Sequence, residues 1–259
     1  MTNQPRLQDK VIIITGAGSG IGAASARRLA AEGASVVVAD LRVELAHQVS
    51  EEITALGGNA LAIACNVSIE SDVESMVSST VDHFGKLTGL FANAGTSGFG
   101  WIHETSLADW HRVINVNLTG AFLSARATLP HLIDNGAGVV VTTGSIASTV
   151  IGAGGSAASY AASKGGILQL TRQIAVDYAD HGVRALCVCP GAVRTSLGEH
   201  VREDTDVTPM RLPRSPIRSP MHRAAKPEEV ASVVAFAFSD DASFMTGSAL
   251  FVDGGLTAI

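Results

Sequence analysis

Val11-Ile-Ile-Ile-Thr-Gly-Ala-Gly-Ser-Gly-Ile-Gly22 is the stretch whose reading decides the fold. Four consecutive β-branched residues, Val11 to Ile14, suit a strand buried on both faces, as in a parallel sheet. The glycines that follow remove Cβ atoms where the chain must turn sharply. Residues 20–32 are Ala-rich and read as a helix closed by Gly33. A strand that passes through such a turn into a helix offers free N–H groups and the positive end of the helix dipole to an anion such as pyrophosphate. The spacing departs from G-x-G-x-x-G, because Gly16, Gly20 and Gly22 stand four and two apart. The support comes from Asp40, which ends the second strand, Val36-Val-Val38, eighteen residues after Gly22. A carboxylate at that place accepts both adenosine ribose hydroxyls and repels a 2′-phosphate, so NAD is expected rather than NADP.

Outward from this unit the alternation continues. Helices are expected over 42–56 (ended by Gly57-Gly58), 71–84, Leu107 to Leu132, Tyr160 to Ala179 and 227–238. Strands are expected at Ala60 to Cys65, Leu90 to Ala92, Val139 to Val141, Val183 to Val188 and Ala249 to Val252. The pattern predicts an α/β chain with a single domain over residues 1–259. Its core is a Rossmann-like, doubly wound, parallel seven-stranded sheet with helices on both faces. Residues 196–226 break the rhythm with Pro209, Pro213, Pro216 and Pro220, and are read as a substrate lid insertion.

Composition narrows the function. Hydrophobic residues are 46% and charged residues 16% of 259, with a net charge of −6, which supplies a core and argues against disorder. An acidic balance and 5% aromatics argue against nucleic acid, which wants a basic face and stacking platforms. Met1 to Lys10 is polar and lacks a signal core, and no apolar run is long enough to span a membrane. The three cysteines are Cys65, Cys187 and Cys189. Their number does not suggest a disulfide framework, and no ligand spacing suggests a metal. Cys187 and Cys189 lie two apart on a strand and share one face. A cytoplasmic setting is expected.

Chemistry-bearing residues follow the later strands. Tyr160 and Lys164 stand at i and i+4 near a helix start, so phenol and ammonium share a face. A cation at ~4 Å in an effective dielectric of ~20 lowers a phenol's pKa by up to about three units, into range for proton transfer. Ser145 lies just after the fifth strand, on the ligand side of the sheet, where its hydroxyl can bond a substrate oxygen.

Taken together the chain resembles the short-chain dehydrogenase/reductase family over nearly its whole length. The likeness rests on Thr15-Gly-Ala-Gly-Ser-Gly-Ile-Gly22, Asn93-Ala-Gly95, Asn117 within Val116-Asn-Leu118, Ser145, Tyr160-x-x-x-Lys164, Pro190-Gly191 with Thr195, and Asp253-Gly-Gly255. The resemblance implies that Tyr160 exchanges the proton on the substrate oxygen. It implies that Lys164 lowers the pKa of Tyr160 and holds the nicotinamide ribose, that Ser145 polarises the carbonyl, and that Asn117 anchors a water in a proton relay. It further implies cofactor contacts from Gly16, Ser19, Gly20, Ile21, Gly22, Asp40, Leu41, Asn66, Val67, Asn93, Ala94, Gly95, Val116, Tyr160, Lys164, Pro190, Gly191, Val193 and Thr195. A homotetramer is also implied, with the two long helices paired across a two-fold axis.

Three departures from the family pattern stand out. Asn66 replaces an adenine-contacting Asp, Ala92 replaces an Asn and is expected to loosen the sheet locally, and Ser145 and Tyr160 are fifteen apart, which predicts a bulge at Ile151-Gly-Ala-Gly-Gly155. The expected pocket wall is apolar: Phe99, Trp101, Ile146, Val150, Ile151, Val193, Leu197, Met210 and Leu212. Such a wall suits a hydrophobic or cyclic secondary alcohol and its ketone, interconverted with NAD. Two other readings compete. One is an NADPH-dependent 3-oxoacyl-thioester (acyl-carrier-protein) reductase; the lid arginines Arg202, Arg211, Arg214, Arg218 and Arg223 read first as a solvated loop, and otherwise as capture of a carboxylate, phosphate or acyl carrier. Asp134, Asp177 and Asp180 at the ends of the long helices would repel that acidic carrier. The other is a catalytically silent dinucleotide-binding sensor.

Overall fold

Seven strands pair in parallel in the order β3-β2-β1-β4-β5-β6-β7. They are β1 (Val11–Thr15), β2 (Ser35–Asp40), β3 (Asn59–Ala64), β4 (Gly89–Ala92), β5 (Gly138–Thr143), β6 (Val183–Pro190) and β7 (Ala249–Val252). This computed structural model describes residues 5–98, 100–151, 158–195 and 219–258. Most of the expected lid and the segment 152–157 therefore lie outside the described residues.

The apolar runs are explained by the two faces they fill. Ile13, Val37, Leu90, Val140 and Ala185 point to one face, and Ile12, Ile14, Val36, Val38, Phe91, Val141 and Leu186 point to the other. The first face is covered by α3 (Glu70–Phe84), α5 (Gly120–Asp134) and α6 (Ala158–Asp177). The second is covered by α1 (Gly20–Ala31), α2 (Val43–Ala55) and α7 (Pro227–Phe238). Burial on both sides is why the strands read as unbroken β-branched runs rather than as alternation. Cys187 and Cys189 lie on the first face with their sulfurs 3.7 Å apart, both free and buried.

Two expectations are corrected. The helix expected from Leu107 to Leu132 is not continuous. It comprises α4 (Leu107–Ile114), a π-helical segment Asn115–Thr119, and α5. The wide turn places Asn117 inward, where its side chain bonds the loop after β4 (below); such bulges recur at functional sites. Ala92 does not loosen the sheet either. It is buried, and its pairing with Thr142 continues the β4–β5 ladder.

The order 3-2-1-4 reverses direction at β1, so a crevice opens beyond the carboxyl ends of β1 and β4. The loops that carry the sequence motifs all leave the sheet at this edge.

Candidate active site

The glycine turn is built for close approach. Gly16 and Gly20 have φ of 63° and 54°, a backbone shape that side-chain-bearing residues rarely take. A Cβ on Gly22 would lie 2.1 Å from the Gly16 carbonyl oxygen, and one on Gly16 would lie 2.8 Å from the Ala94 Cα. Asn93 pins the turn to β4: its Nδ2 donates to the carbonyls of Thr15 (3.0 Å) and Gly16 (3.2 Å), while Thr143 donates to its Oδ1 at 3.0 Å. The Thr15 hydroxyl accepts the N–H groups of Asn93 and Ala94. α1 begins at Gly20 behind Ser19 with no acidic residue in its first turn, so its positive end is not neutralised locally.

Asp40 ends β2 on the same edge and is 8% exposed. Its Oδ2 accepts the Gly18 N–H at 2.9 Å and its Oδ1 accepts the Arg42 N–H at 3.0 Å. Each oxygen keeps a second lone pair for a ribose hydroxyl. A Cβ on Gly18 would stand 2.9 Å from this carboxylate, so glycine there lets turn and carboxylate meet. Leu41 is exposed beside it. Beyond β3, Asn66 Oδ1 accepts both the N–H and the hydroxyl of Ser68, at 3.1 and 2.6 Å. The amide oxygen is thus engaged by Ser68. Val67 is buried against Gly120, where a Cβ would lie 2.7 Å from a Val67 methyl.

Thr195, after β6, comes to 3.1 Å from where a Gly20 Cβ would stand, so the loop Gly191–Thr195 reaches across to the glycine turn. Val193 pairs with Ala225 in an isolated bridge and packs on the core. The glycine turn, Asp40, Asn93 to Gly95 and the loop after Pro190 therefore converge on one crevice. The cradle that absent Cβ atoms leave there, with a helix N-terminus and a buried carboxylate, fits a dinucleotide.

The polar residues expected to do chemistry also converge. Asn117 is fully buried. Its Nδ2 donates to the Thr96 carbonyl (3.0 Å) and the Ser163 hydroxyl (3.0 Å), and its Oδ1 accepts the Thr96 N–H (2.7 Å). Lys164, 3% exposed, donates from Nζ to the Thr143 carbonyl at 2.6 Å. A Cβ on Gly95 would stand 3.4 Å from Asn117 Oδ1 and 3.7 Å from Lys164 Nζ, so this glycine leaves shared space between them. Ser145 is buried at the end of β5, its Oγ accepting the Ala147 N–H at 3.2 Å, and it lies close enough to Tyr160 to lower the pKa of the phenol.

Electrostatics correct one expectation. Tyr160 is raised above the ordinary tyrosine value, because burial of the phenol outweighs the hydrogen bond from Ser145 that lowers it. Lys164 does not supply the expected lowering. Its Nζ is 5.6 Å from the Tyr160 ring centroid and committed to the Thr143 carbonyl, and burial pulls its own pKa down to about 8. Behind it, Cys187 is lowered by the hydrogen bond from Cys189, with help from Thr142 and Lys164, while Cys189 is raised by the same pairing.

Of the expected pocket wall, Trp101, Val150 and Ile151 are exposed and Ile146 is half-buried. Phe99, Leu197, Met210, Leu212 and most of the bulge at 151–155 lie outside the described residues, as do Arg202, Arg211, Arg214 and Arg218. Arg223 is described and pairs with Glu229 at 2.6 Å. Sequence reasoning missed Thr143, Thr96, Ser148 and Ser163, which hold the motif residues through backbone groups or hydroxyls. Among the described residues no cluster of His, Cys, Asp or Glu suits a metal, and no helix is long and apolar enough to cross a membrane.

Comparison with known proteins agrees with this geometry. A family model described as Enoyl-(Acyl carrier protein) reductase matches residues 16–257. The chain is 42% identical over 254 residues to cyclohexanol dehydrogenase of an Acinetobacter species, covering 98% of this chain and 97% of the relative. It is 40% identical over 255 residues to 2-(S)-hydroxypropyl-CoM dehydrogenase 3 of Xanthobacter autotrophicus, covering 98% and 99%. A solved short-chain type dehydrogenase/reductase from Mycobacterium marinum superposes with a TM-score of 0.90 at 32% identity, covering 98% of this chain and 97% of that one.

Proposed function

The chain belongs to the short-chain dehydrogenase/reductase family, and from that premise we propose that it is an NAD-dependent oxidoreductase. It interconverts a hydrophobic or cyclic secondary alcohol and the corresponding ketone. The observation that carries the reading is the convergence of Ser145, Tyr160 and a buried Lys164, whose Nζ is 5.6 Å from the Tyr160 ring centroid, at the carboxyl edge of the sheet. The names of the relatives point the same way.

The chemistry that a bound nicotinamide dinucleotide supplies is acceptance or donation of the hydride. The protein's part is geometry and the proton. Gly16 to Gly22 and the start of α1 hold the pyrophosphate, and Asp40 takes the adenosine ribose and sets the preference for NAD. Lys164 has donors left beyond its bond to Thr143 for the nicotinamide ribose. Ser145 Oγ orients the substrate oxygen, and Tyr160 Oη passes the proton to it or takes the proton from it. Burial holds the phenol protonated, which suits donation to a ketone. Alcohol oxidation, which needs the phenolate, therefore gains as pH rises. Asn117 Oδ1 and Lys164 Nζ flank the space beside Gly95 through which the proton is replaced.

An acyl-carrier substrate is disfavoured by charge. α5 ends in Asp134, α6 ends in Asp177, and Asp180 follows in the next turn, so an acidic carrier meets like charge. We further propose a cytoplasmic homotetramer, which light scattering of the purified protein checks. The test of activity is NADH formation with a panel of cyclic secondary alcohols. Turnover is expected with NAD and is expected to disappear in Tyr160→Phe. Activity confined to NADPH and a 3-oxoacyl thioester would overturn the proposal.

A further inference from the structure

Ser145 and Tyr160 sit on different elements, one at the end of β5 and the other on α6, so their meeting must be held from outside the two side chains. One hydroxyl does this directly. Ser148 Oγ accepts the Ser145 N–H at 3.2 Å and donates to the Lys164 carbonyl at 2.8 Å. A serine hydroxyl has one proton and two lone pairs, so both bonds form at once without conflict. The turn is closed a second time by the Ser148 N–H, which donates to the Ser145 carbonyl at 2.9 Å.

The site behind this bridge is tightly occupied. A Cβ on Gly144 would come within 2.9 Å of Ser148 Oγ, and within 2.7 and 2.9 Å of the Cys187 and Cys189 sulfurs. Gly144 itself donates to the Val188 carbonyl at 2.8 Å. The turn carrying Ser145 is thus fixed to β6 on one side, and Ser148 fixes it to α6 on the other. A serine that merely closed its own turn would bond within that turn. Ser148 reaches a residue sixteen positions away, on the helix that carries Tyr160.

We propose that Ser148 is a positioning residue that holds Ser145 in register with Tyr160 by bridging the Ser145 amide to the Lys164 carbonyl. The inference rests on the proposed roles of Ser145 and Tyr160, and it adds a residue that those roles do not contain. Its effect passes through Ser145. Without the bridge the Ser145 hydroxyl drifts from Tyr160, and the bond that pulls the phenol toward ionisation weakens. Displacements of about 1 Å at such a site cost on the order of 10²-fold in rate.

The test uses the full chain and three variants: Ser148→Ala, Ser148→Thr and Ser145→Ala, with the Ser145→Ala/Ser148→Ala double variant. Ser148→Ala is expected to lower kcat for alcohol oxidation by roughly tenfold or more and to move its rising pH limb to higher pH. The KM for NAD is expected to stay within about twofold, because the glycine turn and Asp40 are untouched. Ser148→Thr, which keeps the hydroxyl, is expected to restore both readings. In the Ser145→Ala background the second substitution is expected to cost nothing more, as required of residues acting as one unit. Parental kcat and pH limb in Ser148→Ala would overturn the proposal, and so would full additivity in the double variant.

A further reading needs no turnover. The chain has 2 tyrosines, so in a Tyr178→Phe background tyrosinate absorbance titrates Tyr160 alone. Ser148→Ala is expected to raise that midpoint, and an unchanged midpoint counts against the bridge. If the midpoint rises but the parent oxidises no alcohol, the positioning role stands and the proposed reaction falls.

Discussion

Lys164→Met is expected to make the cofactor-free protein more stable while stopping turnover. Burial moves the ammonium from 10.5 down to about 8. At ~1.4 kcal/mol per pK unit, keeping it charged in the folded state costs about 3 kcal/mol at neutral pH. Methionine of similar length removes that cost but leaves the Thr143 carbonyl without its 2.6 Å donor, which returns about 1 kcal/mol. The net gain of about 2 kcal/mol corresponds to a rise in Tm of roughly 4–8 °C for a chain of this size. The sign with pH follows from proton binding. Between pH 8 and 10.5 the unfolded lysine holds a proton that the folded one has released, so parental stability from this group rises with pH there. The gap between variant and parent is therefore full below pH 8, shrinks above it and reverses sign towards 10.5, where only the lost Thr143 bond remains. Circular-dichroism melts of the dinucleotide-free proteins measure it, since bound ligand would add its own stabilisation. Turnover is expected to fall by 10²-fold or more. A variant no more stable than the parent at neutral pH, or a gap that ignores pH, would refute the argument.

Asp40→Ala is expected to raise the NADP-to-NAD ratio of kcat/KM by about tenfold or more, and an unchanged ratio would remove Asp40 from cofactor choice. Gly22→Ala is expected to weaken NADH binding by more than about tenfold in a fluorescence titration, because its Cβ would lie 2.1 Å from the Gly16 carbonyl and the turn must open. Since alanine favours the helix by ~1 kcal/mol, lost affinity without lost Tm would show that the turn and not the fold is affected. Asn117→Ala removes three hydrogen bonds and strands the Thr96 N–H, a loss of about 2–4 kcal/mol. It should lower Tm by several degrees and turnover with it, and a variant that melts with the parent would contradict the network.

What the sequence made legible was local. Val11 to Ile14 announce a strand covered on both faces because four β-branched residues in a row before a glycine turn suit such a strand, and both faces are indeed filled. Glycines at 16 and 20 mark positive φ, and Tyr160 and Lys164 share a helix face by spacing alone. What stayed hidden depends on two distant segments meeting. Asn115-Val-Asn-Leu-Thr119 has an ordinary helical pattern, and its π turn goes with Asn117 reaching Thr96, twenty-one residues back. The acceptor of Lys164 is a backbone carbonyl, which has no sequence signature. Ser148 lacks the Glu or Gln that marks a capping box in a sequence, yet it joins two elements. The misjudged direction of Tyr160 has the same root. A cation four residues away can be read from spacing, but whether it outweighs burial depends on where the ammonium is already bonded. Local rules thus find the reacting groups, while the contacts that set their protonation come from β5 and the loop after β4. Substitutions at Thr96, Thr143 and Ser148 are accordingly the ones that separate a correct motif from a working site.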